Sequence, residues 1–352
     1  MENVRPLQWA PSLQAYTGQW DDATARHLLR RTHFGVKLAE LKTVKALGLT
    51  ATLDILLDDQ LAQPLPPIKE YNPINATVPD VLIAGGQTWV NDPTTDGTIN
   101  SLRRASFKKW WVGQMLNQQI SLREKMTLFW HNHFATESVD IGNAQFLFKH
   151  HSLLRKNALG NFKNLVKEIT TDPAMLVYLN GQNNNKTAPD ENFAREIQEL
   201  FVIGKGKGAG FNEADVKAAA RVLTGWRNNA AEIKSFFDPN RHDVNDKQFS
   251  EFYKSKKIVG KTEADAGSNE LDELIAMLFE TDEVALYLCR RIYVWFIHYQ
   301  ITPEIEEAII VPLAQVFRQN NYEIKPVLRL LLGSQHFFDV MNRGCQIKSP
   351  VD

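Results

Sequence analysis

The stretch Leu271-Asp-Glu-Leu-Ile-Ala-Met-Leu-Phe279 sets the fold class. Leu271, Leu274, Ile275 and Leu278 recur at the three- and four-residue spacing that lines one face of a helix. The same spacing runs on to about Phe338, as helices packed on one another require.

Start signals extend the helical reading toward the N-terminus. Ser121-Leu-Arg-Glu124 predicts a capping box, with the serine oxygen accepting from a free N–H and the glutamate reaching back. Asp172-Pro173 and Thr302-Pro303 each place an N-cap before a proline whose missing N–H costs nothing there. Thr187-Ala-Pro-Asp190 and Asn212-Glu-Ala-Asp215 predict two further starts. Arg26 to Gly35 reads as a short basic-apolar helix closed by Gly35. Leu38, Leu41 and Val44 mark the next helix, and Thr52 to Leu57 another short one.

Two stretches break the pattern. Residues 61–98 hold Pro64, Pro66, Pro67, Pro73, Pro79 and Pro93, which predicts an irregular excursion. Within 228–262, Ile233 to Phe237 and Lys257 to Val259 are β-prone and predict a small hairpin or an ordered loop. The expectation is one mainly α, multi-helical domain over 1–352 with a small irregular or β-hairpin insertion.

The composition, 43% hydrophobic and 23% charged, is that of a globular chain rather than a disordered one. A formal net charge of −1 gives no global field to attract nucleic acid or an anionic membrane. Lys254, Lys256, Lys257 and Lys261 read as a solvated loop. Two cysteines, Cys289 and Cys345, argue against a disulfide framework. No apolar run reaches the roughly 18 residues a membrane span needs. The N-terminal Met-Glu-Asn-Val-Arg-Pro lacks a secretory signal's basic start and apolar core, which predicts a cytoplasmic protein. A chain whose signal had been removed would read the same. Asn75-Ala-Thr and Asn185-Lys-Thr fit the glycosylation acceptor, a pattern too short to carry weight.

Three elements could carry chemistry. His131-Asn-His133 offers two imidazoles that can share one metal only if the preceding helix ends near Trp130. Asn192-Phe-Ala-Arg-Glu-Ile-Gln-Glu-Leu-Phe201 sets Arg195, Glu196 and Glu199 among apolar residues at helical spacing. Asn192, Glu196 and Glu199 share a face, and Arg195 reaches Glu191 and Glu199, where it would hold Glu199 ionised. The alternative is a ladder of surface ion pairs. Arg241-His-Asp243 adds a histidine beside an aspartate: ligand pair, proton relay or loop staple. Gly204-Lys-Gly-Lys-Gly-Ala-Gly210 lacks a phosphate loop's Gly-Lys-Ser/Thr ending and reads as a helix connection. His150-His151 reads as a solvated face, and Trp110, Trp111 and Trp130 as core or rim aromatics.

Taken in order, six segments resemble one family. They are His27-Leu-Leu-Arg-Arg-Thr-His-Phe-Gly35, Arg123-Glu-Lys-Met-Thr-Leu-Phe-Trp-His-Asn-His-Phe134, Glu191-Asn-Phe-Ala-Arg-Glu-Ile-Gln-Glu-Leu-Phe201, Asp215-Val-Lys-Ala-Ala-Ala-Arg-Val-Leu-Thr-Gly-Trp226, His242-Asp243 and Ile347-Lys-Ser-Pro350. The set resembles the bacterial domain-of-unknown-function family numbered 1800. The resemblance implies a mostly helical protein, frequently exported to the periplasm or beyond. It also implies a partner from a sulfatase- and phosphatase-related family often encoded nearby, and it supplies no reaction. Two departures stand out. Asp190-Glu-Asn192 replaces the family's usual Asn-Glu-Asn. Members usually also continue beyond Ile-Lys-Ser-Pro, which implies a C-terminal segment missing after Asp352.

Two functional expectations follow. One is a metal-dependent hydrolase acting on an envelope or polysaccharide-type substrate. In it His131, His133, His242 and Asp243 hold zinc, manganese or iron, Glu196 or Glu199 is ligand or base, and Arg195 steadies an anion. The other is a non-catalytic scaffold or accessory binding protein whose polar motifs are structural networks. Arg195 with Glu199, Arg221 with Glu196, and His242 with a backbone carbonyl would then be its pairs.

Overall fold

The computed structural model describes residues 11–60, 62–71, 80–81, 83–206, 208–349 and 351. Met1 to Pro6, Asn75-Ala-Thr77, Pro73, Pro79, Lys207 and Pro350 lie outside them. Helices dominate, as the periodicity requires, and none of those described is long and apolar enough to cross a membrane. The chain groups into two compact units: Met1–Asp58 with Ile120–Leu122 and Leu288–Asp352, and Asp59–Gln119 with Arg123–Tyr287.

In the first unit the Asp22–Thr32 helix packs on the Leu38–Leu56 helix. Gly48 at φ 81° breaks that second helix, so the two helices expected from Leu38 and from Thr52 meet at a kink. Ala25, Leu28, Val44, Leu56, Ile292, Phe296, Phe317 and Leu331 are fully buried. The Val311–Gln319 and Ile324–Leu332 helices pack on each other. Residues 12–16 pair with the start of the Gln335–Phe338 helix, where Gln335 N–H donates to Gln14 O at 2.8 Å and His336 N–H to Ser12 O at 3.1 Å.

In the second unit the Ala144–Lys156 helix is surrounded by the Gly97–Asn117, Arg123–His133, Phe162–Thr170 and Pro173–Tyr178 helices. That encirclement buries His150 and His151 to 1% exposure, which overturns the solvated face expected for them. Trp130, fully buried, stacks on Phe162 at 5.5 Å and donates its Nε1–H to Ala158 O at 3.0 Å. The Arg123–His133 helix runs past Trp130 to include both histidines, so His131 and His133 sit two apart on a helix and project differently. Glu124 pairs with Arg155 at 2.6 Å inside the unit.

The insertion forms two small antiparallel ladders. β1 (Trp226–Asn229) pairs with β2 (Lys234–Phe237), and β3 (Lys247–Gln248) with β4 (Lys257–Ile258). The two β-prone segments therefore take separate partners. Residues 62–96 contain, among those described, no helix and one bridge, Ile68 to Thr88.

Local capping chemistry places the remaining boundaries. Asp172 and Thr302 cap their proline-led helices. Asp190, the last residue of the Thr187-Ala-Pro-Asp190 signal, caps Glu191–Glu196. Asn212 forms a reciprocal box with Asp215: its Oδ1 accepts from Ala214 N–H at 2.8 Å while Asp215 Oδ2 accepts from Asn212 N–H at 2.9 Å. Asp215, fully buried, also accepts from Ser250 N–H at 2.7 Å, so one cap ties the helix to the loop before β4. Asn212→Ala is expected to cost about 1 kcal/mol, measured by urea unfolding. A cost below a few tenths would mean that Asp215 alone holds the helix start.

Candidate functional site

A buried polar network of the second unit surrounds His242. His242 sits in an extended conformation after a short 3-10 turn, Pro239–Arg241, that Asp238 caps. Its Nδ1 lies 3.1 Å from Thr224 Oγ1 and 3.0 Å from Thr224 O, and its Nε2 lies 3.1 Å from Glu270 Oε1. Glu270 also accepts from Lys247 Nζ at 2.5 Å and from Lys261 N–H at 2.8 Å. Glu270 and Lys247 are fully buried. Burial raises the Glu270 carboxyl, but the bonds from His242 and Lys247 outweigh it and hold it below the usual range. Lys247 is held low, chiefly by burial.

Asp243 belongs to the same network but faces Arg221, whose Nε donates to it at 2.6 Å. Asn245 donates to it through both backbone and side chain at 2.9 Å. Burial raises its carboxyl, and these donors bring it down to about 2. The expected pairing of Arg221 with Glu196 gives way to this one. The expected bond from His242 to a carbonyl is present, on Thr224.

Arg195 lies in a second neighbourhood, partly exposed. It bonds both oxygens of Glu213 at 2.7 Å and Glu191 at 3.1 Å, and comes only to 3.9 Å of Glu199. The carboxyl that Arg195 pulls below its usual range is therefore that of Glu213, through the paired bonds. Glu199 is held by Lys205 at 2.7 Å. Directly after Glu196 the helix widens into a π-helical turn, Ile197–Val202, a form that recurs at functional sites. Gln198, fully buried, accepts there from Tyr253 OH at 2.6 Å. Glu196 Oε2 is buried without a hydrogen-bond partner among the described residues. Burial first, then the Glu199 charge, raises the Glu196 carboxyl.

The third neighbourhood is aromatic. His131 packs against Trp111 at 4.9 Å and lies 6.5 Å from His150. Burial, and then His150, lower its imidazole to about 4. His150 Nδ1 meets Asp172 Oδ2 at 2.9 Å, and His151 sits among Phe107, Trp110 and Trp111. His133 directs Nε2 at Phe201 O, 2.7 Å away, and so donates to a carbonyl inside the core.

The structure thus assembles Arg195, Glu196 and Glu199 along one helical turn, but does not gather His131, His133, His242 and Asp243 as one ligand set. Among the described residues no group of three or more His, Cys, Asp or Glu side chains is placed to hold a metal ion.

Reading by sequence missed Glu270, Lys247 and the His150–Asp172 pair. Glu270 precedes Leu271 and stands four residues before Leu274, inside the apolar stripe. A carboxylate in that position is the signal that a buried partner is needed. His150, three after Leu147 and four before Leu154, carries the same signal.

No curated protein and no solved structure matches the chain. One family model matches residues 27–352, nearly its whole length, and is described as a protein of unknown function, DUF1800. A match of that extent carries every motif from His27 to the Lys348 region, and the chain accordingly belongs to the DUF1800 family.

Proposed function

We propose that this chain is a non-catalytic scaffold or accessory binding protein whose His242-Asp243 and Arg195 motifs are structural networks. The observation that carries this reading is that both ring nitrogens of His242 are committed, to Thr224 and to Glu270, in a fully packed setting. A metal-bound imidazole needs one nitrogen facing an open position. Buried, satisfied charges of this kind fix how helices and loops register against one another. A protein of the sulfatase- and phosphatase-related family is the partner that the resemblance suggests, and co-purification would test it.

The test is the metal content of purified protein by elemental mass spectrometry, with His131→Ala and His242→Ala beside the parent. The expected result is no near-stoichiometric metal, none taken up from zinc, manganese or iron solutions, and a lowered melting temperature for His242→Ala. Stoichiometric metal lost in both variants would overturn the scaffold reading in favour of a metal-dependent hydrolase.

One observation favours a second reading, a hydrolase working through carboxylates on an envelope or polysaccharide-type substrate. Glu196 is raised and unpartnered at Oε2, while Glu199 nearby is paired with Lys205. Neighbouring carboxyls in such different surroundings divide the acid and base roles of hydrolysis. Turnover of a polysaccharide or ester that Glu196→Gln abolishes would establish it.

A further inference from the structure

The first unit contains a cavity of about 710 Å³ whose charge is of one sign. It is lined by Arg26, Arg30, Arg31, Arg343 and Lys348, with His27, Ala23 and Val36 between them and, among the described residues, no acidic one. Two walls that are remote in sequence build it. The Asp22–Thr32 helix supplies Arg26 and Arg30 in one row and His27 and Arg31 in the next, each pair four residues apart. The second wall is the segment 343–348, held in place by Arg31 Nη2, which donates to Asn342 O at 2.6 Å and to Cys345 Sγ at 3.3 Å. Gly344 at φ 71° turns that segment in a left-handed conformation that other residues adopt at a cost.

The arginines are not consumed by the protein. Arg26 and Arg30 make no hydrogen bond or ion pair among the described residues, and Arg31 and Arg343 are bonded only to carbonyls and a thiol. Arg31 is 6% exposed, and its Nη1, like Arg343 Nε, is buried without a partner among the described residues. The field reaches neighbours: the exposed end of the helix at Asp21 feels Arg343. His27 is lowered to about 4, first by burial and then by Arg31, Arg343 and Arg30. It stays neutral at neutral pH, and its Nε2–H donates to Phe337 O at 2.9 Å. Like charges four apart on a helix repel, so the array opposes folding until a counter-charge arrives.

We propose that this cavity binds a small molecule carrying two or more phosphate groups. Guanidinium forks match the oxygens of a phosphate in pairs. Four guanidinium groups in a concave cavity exceed what one monoanion needs, and the volume suits a compact ligand with some organic body. The basic residues gather into a pocket rather than along a track, which favours a small ligand over a nucleic-acid strand. The inference is independent of the reading of His242.

The experiment is calorimetric titration of the full chain with inorganic pyrophosphate, and separately with ADP. The comparison variant is Arg26→Gln/Arg30→Gln, which removes the two arginines that hold nothing else. One saturable site is expected, weakened at least about tenfold in the double variant and by added salt, with the free variant melting no lower than the parent. Tighter ADP would place an organic body against Ala23 and Val36; tighter pyrophosphate would identify a free inorganic anion. No saturable binding of either, or binding undiminished in the double variant, would overturn the proposal.

Discussion

Glu270→Ala is expected to lower the unfolding free energy by about 3–5 kcal/mol, the cost of leaving a buried charge without its partner. Glu270 and Lys247 are both fully buried, and among the described residues the Glu270 carboxylate is the only side chain bonded to Lys247 Nζ; the other partner is Asp243 O. Removing Glu270 also strips His242 Nε2 and Lys261 N–H of their acceptor. Urea unfolding followed by tryptophan fluorescence measures the loss. A loss under about 1 kcal/mol would mean that water reaches Lys247 and that the network is not closed. The same carboxyl sets a pH dependence. Its folded value lies below the unfolded value of 4.5, so the stability it contributes is complete above that pH and is lost as pH falls through the folded value. Glu270→Gln should flatten the stability profile below about pH 4.5.

Arg103→Met is expected to have a comparable effect, about 3–5 kcal/mol, in another network of the second unit. Arg103 is fully buried and forks onto Asp80, with Nε to Oδ2 at 2.9 Å and Nη2 to Oδ1 at 3.0 Å. It also reaches Asp92 Oδ2 at 2.7 Å and Asp92 O at 2.5 Å. Tyr71 OH donates to Asp80 at 2.6 Å. Burial raises the Asp80 carboxyl, and the Arg103 and Tyr71 bonds bring it below its usual range. Without Arg103 the buried Asp80 carboxylate keeps, among the described residues, only the Tyr71 hydroxyl as side-chain donor, and the proline-rich stretch loses its ionic tie to the Gly97–Asn117 helix, keeping the bonds from Ser106 and Trp110 to the carbonyls of Ile68 and Leu65. Limited proteolysis should then cut first within 62–96, before the helical core. The double variant Arg103→Met/Asp80→Leu should recover at least about half of the loss, because replacing both charges by apolar groups removes the desolvation cost. No recovery would show that Asp92 and the neighbouring carbonyls, rather than Asp80, dominate.

These two networks were not equally legible beforehand. The proline spacing marks 61–98 as irregular, yet nothing in it reveals that Arg103 will anchor the stretch, since Asp80 lies 23 residues away. The pairing of Arg221 with Asp243 spans 22 residues, and that of His242 with Glu270 spans 28. Helical spacing does not choose among distant carboxylates, which is why Arg221 is matched to Glu196 on sequence and meets Asp243 instead.

The sequence by itself determined what depends on neighbouring residues. Apolar residues three and four apart dictate helices, because that spacing puts them on one face. Asn212, Asp172 and Thr302 dictate helix starts, because their side chains reach N–H groups two or three residues on. Gly48 and the prolines of 61–98 dictate the breaks through their own backbone limits. Tertiary structure alone decided which charges are buried, which of them meet, and that His131 and His133 join no ligand set with His242. It alone closed the basic cavity, where Arg31 meets Asn342 across 311 residues. A side chain's type states what partner it needs, whereas only the packing of distant segments decides which one it finds.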